Sequence, residues 1–264
     1  MDRCEQNLSL VNTTMTRTEE LCINRQLILT MLSPSCRPLE TSSTVREFVA
    51  GIRDAIIGHR NLYESGMILD DFMAENIILS KPDERGVSKG FLVDLDMASL
   101  RRNHDDWDCP KAMSGIKKYM ALELLEAIDE KEYTLKQTYR HDLESFFYVL
   151  IAGCMSYCRK EAPKHLQYWH SDNTRFCFTS KQSDIILHFQ KKILNYFTPV
   201  FECVQELALS LRQILFDDKS VGYGTPENPN VLYDPIIRAF DDTIRKLEAD
   251  VRERNKDDCI RIEA

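Results

Sequence analysis

The sequence predicts a mainly α-helical domain that carries one small β-hairpin. The stretch 142–155 is apolar on nearly every side, which is typical of a helix at the buried centre of a domain. Apolar residues recur at three- and four-residue spacing after it, and this pattern predicts further helices packed around that centre. Two short β-compatible runs, 76–80 and 90–96, lie on either side of a polar, turn-rich loop and predict the hairpin.

The first part of the chain is predicted to hold an unpatterned arm, a strand and a long helix. Residues 1–24 are polar and show no period, whereas the apolar run 25–32 predicts a strand followed by an extended link. Thr44 or Ser43 is expected to cap a helix in which apolar residues recur every three or four positions. Gly66 is well placed to end this helix, because glycine adopts the left-handed conformation of a helix C-terminus at little cost.

The second half of the chain is predicted to be helical after one irregular segment. No period is sustained over 97–118, and an irregular stretch of this length inside a compact domain is usually a functional loop. A short helix is predicted over 120–128. Beyond the central helix, amphipathic patterns predict three more helices near 181–197, 199–216 and 233–254.

Composition excludes several classes of function. The net charge is −8 and basic residues are scattered among acidic ones, so no nucleic-acid partner is expected. The apolar runs near the start are too short to cross a bilayer, and no signal-peptide pattern opens the chain, so no membrane is expected. Nine cysteines without a Cys-x-x-Cys pair predict free thiols in a reducing compartment. We therefore expect an intracellular protein, cytoplasmic or nuclear.

Three polar residues have the spacing of a phosphoryl-transfer site. Asp71 and Asn76 are separated by four residues, as in the catalytic loop of a kinase, and Asp94 ends the second hairpin run. The hairpin would bring Asn76 and Asp94 to one end, and oxygen ligands of this kind suit Mg²⁺. Taken alone, the same residues are equally typical of a solvated loop and of polar positions that alternate at a strand end.

Four segments that occur in a fixed order strengthen the first interpretation. They are Gly66 to Asn76, Gly90 to Ala98, Tyr119 to Glu123 and Tyr139 to Leu150. This series resembles the fungal-type protein kinase family, and the part of it that reads Arg-His-Asp-Leu-Glu-Ser-Phe-Phe-Tyr-Val-Leu is the most specific. The resemblance implies a protein kinase-like fold, of which this chain would hold the large, C-terminal lobe and lack most of the small lobe.

The resemblance also implies a role for each matching residue. Asp71 would be the catalytic aspartate, and Asn76 and Asp94 would be metal ligands, with Mg²⁺ and ATP as cofactors. Glu123 and Asp142 would give structural support, Glu123 through a pair with a buried arginine. The implied division is a loose arm over 1–24, the last small-lobe strand and the hinge over 25–36, a large lobe over 37–255 and a tail over 256–264.

The sequence departs from the family pattern at positions that matter for phosphoryl transfer. Leu69-Asp70 stands where the family has His-Arg before the catalytic aspartate, so an anion replaces a cation beside Asp71. Met73 and Ile116 replace residues with hydroxyl groups. No lysine occurs before Lys81 and no glycine-rich loop precedes the site, so the phosphate-anchoring groups of a small lobe are missing from this sequence. We therefore expect ATP binding and transfer to be weak or absent.

Three functions follow from these observations. The first is a truncated or pseudokinase large lobe with a binding or regulatory role. The second is an active serine/threonine kinase completed by a small lobe from elsewhere. The third is a helical interaction module without nucleotide chemistry. In the first and third cases, we expect another protein to cover the large-lobe face that a small lobe would otherwise occupy.

Overall fold

The computed structural model covers most of the predicted helical domain. It describes residues 36–69, 74–95, 98–100, 117–131, 135–157, 163–216 and 224–262. The predicted arm over 1–24, the predicted strand over 25–32 and the catalytic aspartate, Asp71, lie outside these residues.

The first long helix, Val45–Glu64 (α1), is fixed by the residues at its two ends. The Thr44 side chain accepts a hydrogen bond from the Glu47 backbone N–H at 3.1 Å, so Thr44 rather than Ser43 is the N-cap. After the helix, Gly66 has a φ of 87°, and its N–H donates to the Tyr63 carbonyl. Both predicted ends of α1 are therefore confirmed, since glycine is the residue that most readily adopts this left-handed conformation.

The predicted hairpin forms, but it belongs to a larger sheet. Its strands, Ile77–Leu79 (β3) and Gly90–Leu92 (β4), pair antiparallel with Ile78 opposite Phe91. A two-residue strand, Arg37–Pro38 (β1), pairs with the other edge of β3 and gives the order β1-β3-β4. The sequence did not predict β1, because two residues carry no readable alternation.

A second, two-stranded sheet lies next to the predicted catalytic loop. Met67–Leu69 (β2) pairs antiparallel with Ala98–Leu100 (β5). The prediction that 97–118 is irregular throughout was therefore wrong for residues 98–100. Three residues are too few to show the alternation of apolar and polar residues by which a strand is predicted.

The predicted central helix is confirmed, and it begins earlier than expected. Leu122–Glu130 (α2) precedes it, and the helix itself runs over Tyr139–Ser156 (α3), with nearly all of its residues buried. Thr138 is its N-cap, and the Thr138 backbone N–H donates to His141 Nδ1 at 3.0 Å. Asp142, predicted to open the helix, therefore lies in the helix after its capped first residues.

The C-terminal part is helical, but one predicted helix is broken into pieces. Lys164–Tyr168 (α4) and Thr174–Gln182 (α5) come first. The predicted helix over 181–197 was wrong: a π-helical turn, Ser183–Leu187, separates α5 from the short helix Phe189–Lys192 (α6). The His188 N–H donates to the Ser183 carbonyl, and this wider turn interrupts the 3.6-residue period on which the prediction relied.

Two long predicted helices at the C-terminal end are confirmed with shifted bounds. A 3₁₀ turn over Pro199–Val204 leads into Gln205–Leu215 (α7), and the last helix is Asn230–Ile262 (α8). Helix α8 therefore continues past the predicted end at 254. Among the described residues, the helices contain no stretch long and apolar enough to span a bilayer.

The cysteines of the described residues are all free thiols, as the sequence predicted. Cys154 and Cys177 are buried, Cys36 is half-buried and Cys203 is exposed. Burial raises the pKa of the Cys154 thiol well above its usual value, because the thiolate would lose its hydration. The buried pair therefore behaves as small apolar residues of the core.

The hairpin is held against α1 by a close approach of two backbones. A side chain at Gly90 would overlap the Gly51 carbonyl, so only glycine allows the strand to lie this close to the helix. The Gly90 N–H donates to the Asp54 carboxylate at 3.0 Å, which satisfies the outward-facing amide of the strand. The position of the hairpin is therefore set by the absence of a side chain at Gly90.

A buried hydrogen-bond network joins α1, α3 and α8. The Tyr233 hydroxyl lies 2.7 Å from His59 Nδ1, and His59 Nε2 lies 3.0 Å from the Asp142 carboxylate. Gln137 donates to the other carboxylate oxygen of Asp142 at 2.7 Å. Both ring nitrogens of His59 and both carboxylate oxygens of Asp142 are therefore engaged in the interior, as buried polar groups usually are. His59 is thus a histidine of the core.

The close approach at Gly90 predicts a contrast between two glycine substitutions. Gly90→Ala should lower the free energy of unfolding by about 1–3 kcal/mol or more, because the new methyl group meets helix backbone that cannot move aside. Gly58→Ala, in the same contact between α1 and β4, should be neutral or stabilising by about 0.5–1 kcal/mol, since its Cβ would find ordinary contact distance and alanine favours a helix. Urea unfolding of the two variants would measure this, and equal effects would contradict the proposed cause.

The network predicts that one hydroxyl contributes measurably to stability. Tyr233→Phe should lower the free energy of unfolding by about 1–3 kcal/mol, because His59 Nδ1 is left buried without its hydrogen-bond partner. Tyr168→Phe is the matched control, since Tyr168 is exposed and should tolerate the change. The same loss in both variants would show that the hydroxyl of Tyr233 has no special role.

Candidate active site

Two of the predicted site residues lie at the open end of the hairpin, where β3 begins and β4 ends, opposite the turn that joins the strands. This open end is called the hairpin end below. Asn76 is the last residue of a 3₁₀ turn, Ala74–Asn76, and directly precedes β3. The Val93 N–H donates to the Asn76 carbonyl at 2.8 Å, and the Asn76 side-chain amide donates to the Val93 carbonyl at 3.4 Å. Because Asp94 follows Val93, Asn76 and Asp94 lie at the same end of the hairpin. Their role as metal ligands stays a prediction.

The backbone of Asp94 is in an unusual conformation. Its φ is 61°, in the left-handed region that costs most non-glycine residues about 1–2 kcal/mol. Lys131 shares this conformation, but there it ends α2 as an ordinary helix cap. Asp94 ends no helix, and strained backbone of this kind is characteristic of functional sites.

The surroundings of the hairpin end are acidic. Glu75 and Asp94 are exposed beside the buried Asn76, and Glu40 contributes a further exposed carboxylate. Burial lowers the pKa of the Lys118 ammonium, and the charges of Glu75 and Glu40 act against that shift. Lys118 is therefore close enough to both carboxylates to feel their charge. This surface favours cations over phosphate groups.

A turn over residues 117–120, here called the pre-α2 turn, leads into α2 beside this acidic surface. The Leu122 N–H at the start of α2 donates to the buried Glu144 carboxylate at 2.7 Å. From the other side, the Lys181 ammonium donates to the carbonyls of Met120 and Lys117 at 2.6 and 3.2 Å. Side chains from α3 and α5 thus hold the backbone of this segment by its donors and by its acceptors.

Glu123 has a different partner from the one that the resemblance implied. Its carboxylate lies 2.7 Å from Nε2 of His141, whose Nδ1 accepts a hydrogen bond at the N-cap of α3. Arg140 instead lies 3.3 Å from the Glu144 carboxylate and donates to the Leu215 carbonyl at 2.9 Å. In the described residues a histidine therefore takes the place that the resemblance gave to an arginine. The structural role of Asp142 is the buried network with His59 and Gln137.

Asp71 belongs to the four residues between the end of β2 at Leu69 and the 3₁₀ turn that begins at Ala74, and these residues lie outside the described part. No group of three or more histidine, cysteine, aspartate or glutamate side chains in the described part is arranged to hold a metal ion. The oxygen atoms of Asn76 and Asp94 nevertheless fit Mg²⁺ by their chemistry, since this ion prefers carboxylate and amide oxygens.

An apolar cavity of about 360 Å³ lies beside the hairpin end, between α1 and β4. Phe91 and Leu95 are large apolar side chains at its rim, and they are 46% and 36% exposed. Leu95 directly follows Asp94, so the cavity borders the predicted metal site. Its lining residues are Asp54, Gly58, Asn61, Leu62, Gly90, Phe91, Leu92 and Leu95.

The sequence did not reveal Glu144, Lys181 and Tyr233 as part of this arrangement. Each binds a residue that is distant in the sequence. From the sequence alone, a polar residue in a helix is most simply placed on the solvent-exposed face. One signal was available for Glu144. It lies four residues after Arg140, and opposite charges at this spacing favour a pair on one face of a helix.

Comparison with known proteins identifies the family. The family model described as fungal protein kinase matches residues 3–154, more than half of the 264 residues. The match includes Asp71, Asn76, Asp94, Glu123 and Asp142. No curated protein matches the chain. On the extent of the family match, this chain belongs to the fungal protein kinase family.

Proposed function

We propose that the chain is a pseudokinase-type large lobe, with impaired phosphoryl transfer and a binding or regulatory role. One observation carries the proposal: the hairpin end keeps Asn76 and Asp94 together, but in surroundings whose charge opposes phosphate. The large-lobe assignment is supported by the mainly helical fold and by the buried helix α3, which contains the most family-specific segment. In this proposal the large lobe covers residues 37–255, as the sequence predicted.

The charge around the site is the reason for expecting impaired transfer. Kinases accelerate transfer mainly by positioning the groups and by neutralising charge on the transferred phosphoryl oxygens. Asp70 adds a carboxylate next to Asp71 in the sequence, and Glu75 and Asp94 are exposed at the hairpin end. Loss of one preorganised charge-stabilising group typically reduces the rate about 10²–10³-fold. Asp70 places an anion where the family has a cation, and this change should reduce the rate of transfer by at least the same factor.

The cofactors implied by the family are Mg²⁺ and ATP. Asn76 and Asp94 would hold the metal, together with the catalytic Asp71, and the bound ion would neutralise phosphate charge. We propose that this binding is weak, because Glu75 and Asp94 expose carboxylates at the hairpin end, and these oppose the charge of a phosphate group.

A specific observation also favours the second function, an active serine/threonine kinase completed by a small lobe. Asp94 has a left-handed backbone at the predicted metal site, and such conformations cluster at functional sites. In that case a second polypeptide would supply the phosphate-anchoring lysine and cover the nucleotide. Asp71 would orient the attacking hydroxyl group, and transfer would depend on it.

The apolar cavity supports the proposal of a protein partner, and it also favours the third function, an interaction module without nucleotide chemistry. Phe91 and Leu95 expose apolar surface beside a cavity that is mostly apolar. Burying such surface yields about 25 cal/mol per Å², so a few hundred Å² contributes several kcal/mol. We propose that another protein chain, with apolar side chains that enter the cavity, covers this face.

The pseudokinase proposal predicts that nucleotide does not stabilise the chain. With 5 mM Mg-ATP, a dissociation constant above about 10 mM would raise the free energy of unfolding by less than about 0.3 kcal/mol. Differential scanning fluorimetry should therefore show no change in Tm. A rise of several degrees that needs Mg²⁺ and is lost in Asp94→Ala would contradict the proposal.

A direct assay separates the pseudokinase from the active kinase. The purified chain, incubated with radiolabelled Mg-ATP and a generic basic protein, should transfer no phosphate. Transfer that Asp71→Ala abolishes would establish the second function. Asp250→Ala, at an exposed aspartate of α8, is the control and should leave any transfer unchanged.

The exposed cavity predicts association through its rim. The purified chain should self-associate as its concentration rises, because a second copy covers the same apolar surface when the partner is absent. The double substitution of Phe91→Ser and Leu95→Ser should weaken this association about tenfold or more. Leu187→Ser, at a more exposed leucine outside the cavity, should leave it unchanged. Sedimentation velocity would measure this, and a chain that is monomeric at every concentration would contradict the prediction.

A further inference from the structure

Lys181 is fully buried in α5, which is unusual for a lysine. Its ammonium donates to the Met120 and Lys117 carbonyls, and it lies 3.6 Å from the centre of the Tyr148 ring and 5.3 Å from that of Trp169. Carbonyl oxygens and aromatic faces both stabilise a cation. The side chain is therefore built into the contact between α5, α3 and the pre-α2 turn.

We infer that Lys181 fixes the pre-α2 turn to the helical core, and that the charge on its ammonium sets how firmly the turn is held. Lys181 is thus a positioning residue: it acts on the site through the backbone of residues 117–120. The inference does not depend on whether the chain transfers phosphate, since it concerns only the conformation of the turn.

The turn is a segment whose position matters for the candidate active site. It carries Lys118, which is half-buried and interacts with Glu75, next to the predicted metal ligand Asn76. Its other end continues into α2, where Glu144 holds the Leu122 N–H. Loosening the Lys181 contact would therefore free the part of the turn that faces Glu75, while α2 stays anchored at Glu144.

The charged and titratable groups around the ammonium come from several elements of the fold. Helix α3 presents Glu144 and the Tyr148 ring, α5 presents Cys177, and the turn presents Lys118. The segment after α4 presents His170. In α2, Asp129 is 2.9 Å from Arg175 and is bound there instead.

These surroundings decide the direction of the pH dependence. Burial is the main cause that lowers the pKa of Lys181 from its ordinary value of 10.5 to about 7, Lys118 acts in the same direction, and Cys177 and Glu144 oppose it. Opening of the turn would return Lys181 to water, where its pKa is near 10.5, so protonation favours the open turn. The turn should therefore be held more firmly at pH 8.5, where the buried side chain is a neutral amine that still donates to the carbonyls, than at pH 6.

Hydrogen–deuterium exchange at two amides tests the anchoring. The Met120 N–H donates to the Lys117 carbonyl and the Leu122 N–H to Glu144, so both report on the turn and its junction with α2. At pH 8, Lys181→Met should reduce the protection factor of Met120 at least tenfold, because both carbonyl contacts are lost, and leave the amides of α3 unchanged. Lys191→Met, at an exposed lysine of α6, should match the wild type. Unchanged protection at Met120 in Lys181→Met would overturn the inference.

A pH series on the chain with Lys181 intact tests the role of charge, and it applies even if Lys181→Met fails to fold. After correction for intrinsic exchange, the protection of Met120 should rise severalfold between pH 5.5 and 8.5, with the increase beginning near pH 7. The amides of α3 should show no such step. His170→Gln and Cys177→Ser should keep the transition. A flat profile, or a transition that disappears in His170→Gln, would overturn the assignment to Lys181.

Discussion

The fold depends on satisfying the ionisable side chains that α3 buries in its first two turns. Arg140, His141, Asp142 and Glu144 all lie in the interior, where an unpaired polar group is costly. Each partner comes from a different part of the chain. His59 binds Asp142 from α1, Glu123 binds His141 from α2, and the Leu215 carbonyl binds Arg140 from α7. Pairing these groups therefore fixes the position of the surrounding helices relative to α3.

Local signals made much of the fold predictable. The ends of α1 depend on Thr44 and Gly66, whose preferences act over a few residues, and the hairpin depends on two β-compatible runs beside a turn. Features set by distant contacts could not be predicted in this way. Strand β1 exists because β3 offers it an edge, and the π-helical turn after Gln182 breaks a period that looked continuous in the sequence.

The same distinction applies to the candidate site. The spacing of Asn76 and Asp94, together with the hairpin, was enough to predict that they lie at one end of it. The residues that hold the pre-α2 turn could not be found, because Lys181 reaches a carbonyl 61 positions earlier and nothing near Lys181 indicates this. The His141 partner of Glu123 was also missed, since the resemblance pointed to an arginine and charge alone does not distinguish the two donors.

The groups that stabilise the domain are separate from those expected to carry phosphoryl transfer. Asp142 and Glu144 have their carboxylates engaged by buried partners of the fold, whereas Glu75 and Asp94 are exposed at the hairpin end. Exposed charges contribute little to stability, so substitutions of Glu75 or Asp94 would change the field at the hairpin end and leave the buried pairs of α3 intact. The charge at the hairpin end can therefore vary without loss of the fold. The described surface combines these exposed carboxylates with a neighbouring apolar cavity, and the proposed contact with a protein partner rests on this combination.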